Sequence, residues 1–144
     1  MNIKDMSDSA CVAFIESQRI GRLGCCKDGR PYVVPITFVC SNRLIYSFSM
    51  PGQKLEFMRS NPVVCLEVEN IERRDKWQCA VVQGLFHEFT GDDEKQQAWK
   101  ILQRHNDWWE VGGQVVHHGD KDGDRTPTYY SISMDVVTGR QALA

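Results

Sequence analysis

Nowhere does the chain hold an apolar run approaching the roughly 18–20 residues of a membrane span, so no spanning helix is expected. Its first eight residues, Met1-Asn2-Ile3-Lys4-Asp5-Met6-Ser7-Asp8, are polar and offer no apolar core of a secretory signal; a cytoplasmic location is expected. Basic surplus is missing too: 17 Lys+Arg stand against 19 Asp+Glu, a net charge of -2, which gives no electrostatic footprint for nucleic acid. The six cysteines, Cys11, Cys25, Cys26, Cys40, Cys65 and Cys79, include no C-x-x-C pair. Without a secretory context they read as reduced thiols that behave as small hydrophobes. The histidines His87, His105, His117 and His118 match no zinc spacing, so no metal site is expected. No Ser-His-Asp order, P-loop or nucleotide-binding glycine fingerprint appears, since Gly21-Arg-Leu-Gly24 lacks the spacing and opens no helix.

What is present is an ordinary soluble composition. The chain has 144 residues, 42% apolar and 25% charged, which predicts one domain spanning 1–144 that folds without disulfides or metal. Cys11, Phe14 and Ile15 repeat at helical spacing within a helix predicted over Ser7 to Gln18, with Ser7 or Asp8 as its cap. Strands are expected over Ile20–Cys26, Pro31–Cys40 and Arg43–Ser49, joined by turns at Asp28-Gly29 and Ser41-Asn42. In the second strand Tyr32, Val34, Ile36 and Phe38 alternate with Val33, Pro35, Thr37 and Val39. Pro51-Gly52 breaks the pattern before a helix over Gln53–Ser60, which Asn61-Pro62 ends.

Val63–Val68 reads as a central strand, the charged run Glu69–Lys76 as an exposed turn, and Trp77–Phe89 as a longer strand. Thr90 and Asp93 have the spacing of a capping box for a helix running to about His105. Asn106 to Pro127, with Trp108-Trp109, Gly112-Gly113 and His117-His118, shows no period and reads as a long loop. Thr128–Thr138 is the last strand, with Tyr130, Ile132, Met134 and Val136 on one face. Six antiparallel strands with short turns predict a closed or nearly closed barrel, because closure removes exposed edges.

Two segments carry candidate chemistry. Ser47-Phe48-Ser49-Met50-Pro51-Gly52-Gln53-Lys54 ends a strand in hydroxyls, turns on glycine and opens a helix. The first N–H groups of a helix are unpaired and carry partial positive charge, and Lys54 in that turn is favoured only beside an anion. The segment reads either as a phosphate site or as a solvated lysine beside Glu56. Pro35, inside a strand pattern, marks a strand edge or a split in the sheet where backbone groups face a planar ligand.

The order Gly21-Arg-Leu-Gly24, Asp28-Gly-Arg-Pro-Tyr-Val-Val-Pro35, Leu44-Ile-Tyr46, Gly52-Gln-Lys54, Asn61-Pro62, Val81-Val-Gln-Gly84, Tyr130-Ser-Ile132 and Val137-Thr-Gly-Arg140 resembles the pyridoxamine 5'-phosphate oxidase-like flavin-binding split barrels, and most of all the branch related to nitroimidazole-resistance proteins. The resemblance implies a mainly β, six-stranded antiparallel split barrel with peripheral helices, forming a homodimer with FMN at its interface. It implies that Gln53, Lys54 and Ser49 meet the FMN phosphate. Val34, Pro35, Ile36 and Thr37 would run along the isoalloxazine edge, Ser47 and Phe48 would lie near the ring, and Gln78 or Cys79 would stand where the oxidases place a flavin-contacting glutamine. Family members often carry Arg before the lysine, where this chain has Gln53, and the nitroimidazole branch commonly has His where this chain has Ser47. The activity implied is FMN-dependent oxidoreduction on a small molecule; the alternatives are a non-catalytic flavin or redox-sensing module and a haem-binding split barrel.

Overall fold

The chain changes sheet partners twice, and those two changes make the barrel. In the computed structural model, which describes residues 1–104 and 126–143, the elements are β1 (Asn2–Asp5), α1 (Asp8–Glu16), β2 (Ile20–Lys27), β3 (Arg30–Thr37), β4 (Val39–Ser41), β5 (Leu44–Ser49), α2 (Gln53–Ser60), β6 (Val63–Arg73), β7 (Lys76–Glu88), α3 (Asp92–Gln103), β8 (Thr128–Ser133) and β9 (Val136–Leu143). His105, Trp108-Trp109, Gly112-Gly113 and His117-His118 lie outside the described residues. No helix among the described residues is long and apolar enough to cross a membrane.

Hydrogen-bonded strands follow the order β3-β2-β6-β7-β8-β5-β4, and β9 joins β7 and β1 at the side. All pairs are antiparallel. The two ends of that path, β3 and β4, are consecutive in the sequence, so the sheet curls back on itself. The first change of partner is at Phe38, which is fully buried and donates its N–H to the Arg19 carbonyl at 2.9 Å. One strand expected over Pro31–Cys40 is therefore two. Across the seam left between β3 and β5, the Ser47 hydroxyl donates to the Thr37 carbonyl at 2.6 Å.

The second change is at Met134-Asp135, where the single strand expected over Thr128–Thr138 breaks. β8 pairs β5 and β7, whereas β9 pairs β7 and β1. Here β7 must pass so close to β8 that a Cβ on Gly84 would lie 1.6 Å from the Ser133 carbonyl oxygen. Only glycine fits. Past the break the facing pattern is lost: Tyr130, Ile132 and Met134 are buried, but Val136 is 50% exposed.

Turn chemistry accounts for most local boundaries. Asp28 (φ 52°) and Gly29 (φ 75°) both adopt the positive φ that a two-residue hairpin needs. The next turn falls one residue later than expected, on Asn42 (φ 52°) and Arg43 (φ 58°), because Ser41 pairs with Leu44. The run Glu69–Lys76 is strand rather than turn: the ladder continues through Ile71–Trp77 to Arg73–Lys76, leaving only Arg74-Asp75 to turn. Asn70–Arg73 are exposed at the free edge of β6, where the polar and charged side chains among them meet water.

Ser7 caps α1, accepting from the Ala10 N–H at 3.2 Å. The cap of α3 is Gly91 rather than Thr90, and Glu94 accepts from the Gly91 N–H at 3.3 Å. β1, which has no apolar alternation, forms by pairing Asn2–Asp5 with Arg140–Leu143. Altogether nine strands are described where six were expected, two of them products of the splits.

Inside the barrel, Leu23, Phe38, Leu66, Tyr130 and Ile132 pack with Leu55 and Met58 from α2 and with Cys11, Phe14 and Ile15 from α1. A second cluster, Val39, Ala98, Leu102 and Tyr129, seats α3 on the outside of the barrel. Burying a side chain of this size stabilises by roughly 1.5–3 kcal/mol. The first cluster holds β5 and α2 in place, the second braces β5 through Tyr46 and Phe48, and these two elements carry most of the site.

Candidate functional site

β5 ends at Ser49, and Met50-Pro51-Gly52 carries the chain into α2. Tyr32 and Val34 on β3 face the same space. The result is a cavity of about 370 Å³ bounded by Tyr32, Val34, Phe48, Ser49, Met50, Pro51, Gly52, Gln53 and Lys54. Its wall is aromatic and apolar on one side. Phe48 leans on Tyr129 (centroids 6.2 Å apart) and Tyr32 on Phe57 of α2 (5.5 Å), so both rings are held from behind.

The other side is the start of α2. Gly52 is its cap and offers no side-chain acceptor, so the opening N–H groups of the helix have no side-chain partner. Lys54 is half-buried there, and desolvation pushes its ammonium below the ordinary lysine range. Glu56, the carboxylate that sequence placed beside it, is instead 2.8 Å from the Lys27 ammonium. That pairing lowers Glu56 and raises Lys27, and none of the ion pairs among the described residues includes Lys54. A desolvated cation beside open helix N–H groups in a concave site has the chemistry of an anion cradle.

The edge of β3 adds a second set of backbone groups. Its two-residue turn makes Lys27 and Arg30 a hydrogen-bonded pair, and alternation then turns the N–H and C=O of Pro31, Val33, Pro35 and Thr37 away from β2, toward the seam. The Thr37 carbonyl taken by Ser47 fits that parity. Two of the four are prolines without an N–H. The seam edge therefore offers the carbonyls of Pro31, Val33 and Pro35 against the N–H groups of Val33 and Thr37, a strip with more acceptors than donors. Pro35 is on an edge strand, as its position in the pattern required.

Of the expected residues, Val34, Phe48, Ser49, Gln53 and Lys54 come together in this cavity. The Ser49 hydroxyl already donates to the Met50 carbonyl at 2.8 Å, which leaves its lone pairs free to accept. Pro35 presents backbone at the seam, Ile36 is in the core, and Thr37 and Ser47 are joined to each other across the seam. Ser47 is thus a buried structural hydroxyl in this chain. Tyr32, Met50, Pro51 and Gly52 also line it and were not among the residues expected to meet the flavin. The alternation that put Tyr32 on the face of Val34 was the signal that finds it; nothing in the sequence marks Met50.

Gln78 and Cys79 lie elsewhere, on β7. Gln78 donates to Gln141 at 3.4 Å. Cys79 donates to a Glu67 carboxylate oxygen at 3.2 Å, and burial, that hydrogen bond and nearby carboxylates push its thiol up to about 12. It borders a larger groove of about 580 Å³ over β1, β7 and β9, with Asp5, Trp77, Val81 and Arg140. The cation of that groove, Arg140, is spent on Asp5 at 3.3 Å, and its thiol is neutral. Size favours the larger groove, but an unanswered charge favours the cavity at Lys54. Of the histidines only His87 is described; it is exposed, 3.6 Å from Glu94 and outside both spaces.

Comparison with known proteins gives one consistent result. A family model described as pyridoxamine 5'-phosphate oxidase matches residues 7–141. An uncharacterized protein of Rhizobium meliloti (strain 1021) is 36% identical over 148 residues, covering 100% of this chain and 98% of that protein. The crystal structure of a FAD-binding protein from Mesorhizobium loti superposes with a TM-score of 0.78 at 33% identity, covering 100% of this chain and 99% of that one. A structure described as a putative 5-nitroimidazole antibiotic resistance protein from Bacteroides thetaiotaomicron shares the fold, with a TM-score of 0.72 at 21% identity over 98% of this chain and 89% of that one.

Proposed function

The chain belongs to the pyridoxamine 5'-phosphate oxidase family, and from that premise we propose that it binds a flavin through its FMN moiety and acts as an oxidoreductase on a small molecule. The observation that carries the reading is Lys54: a half-buried ammonium with no carboxylate partner among the described residues, at the uncapped start of α2. A flavin phosphate answers both the charge and the open N–H groups. The FAD bound by the Mesorhizobium relative, with which this chain shares 33% identity along its whole length, supports the same cofactor class.

In this reading Lys54 and the first N–H groups of α2 hold the phosphate, with Gln53 beside them. Tyr32, Val34 and Phe48 cover apolar ring surface and keep water from it. The carbonyls of Pro31, Val33 and Pro35 along the seam suit an N–H donor on the ring edge and fix its orientation. When bound, the isoalloxazine supplies the redox chemistry, and the protein supplies binding and orientation.

The proposal includes a homodimer. Gln78 and Cys79 do not line the Lys54 cavity of their own chain, so they meet a flavin only if a second copy brings them. Exposed Val63 and Leu85, which pair directly across β6 and β7, are apolar surface for such a contact.

A second reading, a flavin-binding module without turnover, has one observation of its own. Among the lining residues no histidine or carboxylate stands ready to move a proton. The test is the visible spectrum of the purified protein, followed by flavin uptake and then NAD(P)H oxidation with an added acceptor. Flavin uptake with turnover supports the oxidoreductase; uptake without turnover under any donor and acceptor leaves the module; absence of uptake removes both.

A further inference from the structure

The cavity has two walls that belong to different elements, and we propose that the Lys27–Glu56 ion pair is the clasp that sets their separation. Lys27 and Glu56 are then positioning residues, which let one ligand meet the aromatic wall and the Lys54 cradle together. The inference rests on the flavin reading above.

The aromatic wall takes Tyr32 and Val34 from β3 and Phe48 from β5, whereas the cradle, Gln53 and Lys54, opens α2. A flavin carries ring and phosphate on one molecule. It gains from both walls only when their spacing is set in advance. Leu55 and Met58 sit in the core and hold α2 against the barrel. Buried apolar contact is non-directional, so it does not by itself fix the helix along or around its axis. Charged hydrogen bonds add that direction.

Two ion pairs supply such bonds at opposite ends of α2. Arg59, in the last turn, forks onto Glu88 of β7 at 2.7 and 3.1 Å and reaches Thr128 of β8 at 3.4 Å. It anchors the end away from the cradle. Glu56 is in the first turn, and its partner Lys27, 2.8 Å away, stands at the two-residue turn that leads into β3. The pair therefore ties the start of the helix to the strand that carries Tyr32 and Val34. The contact between the Tyr32 and Phe57 rings, 5.5 Å between centroids, lies across the same junction.

Glu56 is two residues from Lys54, a spacing at which helical side chains do not face each other. The pair thus acts on Lys54 through the place of the helix and not by contact with it. Nor does its worth lie in stability: Glu56 is 66% exposed, and pairs of this kind add little to folding.

The test is calorimetric titration of the flavin-free full chain with FMN and riboflavin in parallel. It compares the parent with Lys27→Met, Glu56→Gln, the double variant Lys27→Met/Glu56→Gln and Lys27→Arg, with circular dichroism to confirm that each is folded. The single neutral substitutions shift net charge in opposite directions, and the double variant restores it. Each variant that lacks the pair is expected to bind FMN about three- to fivefold more weakly and riboflavin as the parent does, with the double variant no weaker than the single ones. Lys27→Arg keeps the pair and is expected to bind FMN like the parent. A loss of FMN affinity in Lys27→Met, a gain in Glu56→Gln and parent affinity in the double variant would overturn the clasp, because that is the effect of charge alone. An equal fall for FMN and riboflavin would overturn it too, as a loosened fold, and so would unchanged FMN affinity throughout. These results leave the flavin reading intact. Failure of the parent to bind either flavin would remove that reading, and the clasp with it.

Discussion

Among the described residues that line the cavity at the start of α2, Lys54 is the charged one. Lys54 is held below the ordinary lysine range by burial, which means the unliganded fold tolerates its charge poorly. The sign of the pH effect follows. Between the lowered folded value and the unfolded value of about 10.4, the unfolded chain holds more protons than the folded one, so stability rises with pH across that window. Thermal melts of the unliganded protein through the alkaline range are expected to show this rise, and Lys54→Met to lack it. A bound phosphate reverses the effect, because it favours the charged form. Flavin affinity is therefore expected to fall as pH rises through the lowered Lys54 value, with a titration curve that Lys54→Met abolishes. Lys54 itself was legible in the sequence from the Gly52-Gln-Lys54 turn, but its isolation was not. That depends on Lys27, twenty-nine residues from Glu56, reaching across to take the carboxylate.

At the scale of elements, the barrel depends on contacts where strands change partners. Gly84 allows β7 to touch β8 backbone to backbone. Gly84→Ala puts a methyl 1.6 Å from the Ser133 carbonyl oxygen, which only a backbone shift relieves. A loss of about 3 kcal/mol is expected, read as a fall in the urea midpoint. Ser47→Ala removes a side-chain bridge across the seam and leaves the Thr37 carbonyl unpaired, at about 1–3 kcal/mol. If Ser47 is structural, as its burial indicates, that variant loses stability while its flavin affinity per folded molecule stays near that of the parent. A flavin contact through its hydroxyl would give the reverse.

Element existence was readable along most of the chain because period and turn chemistry agree locally: Asp28-Gly29, Pro51-Gly52 and Asn61-Pro62 each end what they were expected to end. The splits at Phe38 and Met134 were not readable. A strand that changes partner keeps its alternation and its β-branched residues, and only the position of the other strands says where it breaks. β1 was hidden for a related reason: its four residues are all exposed and form a strand only because β9 is there to pair with.

At the scale of the whole molecule, the residues expected at the flavin fall in two places. Lys54, the helix start, Phe48 and the β3 seam come from one barrel, whereas Gln78 and Cys79 stand over a different groove. A flavin in contact with all of them needs two chains. Sedimentation or light scattering is expected to give twice the mass of a single chain, and Leu85→Glu, which places a charge on the exposed apolar pair Val63–Leu85, to shift it toward one. A mass of one chain in the flavin-loaded protein would confine the site to the Lys54 cavity and take Gln78 and Cys79 out of it. The family, the fold and the glycine turn that carries Lys54 were all within reach of the sequence because each rests on local patterns in order. Which cavity answers which residue depends on long-range register, and that appears only in three dimensions.

The central claim is that Lys54 receives a flavin phosphate, and it is tested most directly by titrating FAD into the flavin-free parent chain and into Lys54→Ala, with circular dichroism to confirm that both are folded. A charge-assisted phosphate contact is worth about 1.5–3 kcal/mol, so Lys54→Ala is expected to bind FAD at least about tenfold more weakly while riboflavin affinity is unchanged. Equal FAD affinity in the two folded proteins would contradict the account and place the phosphate away from α2.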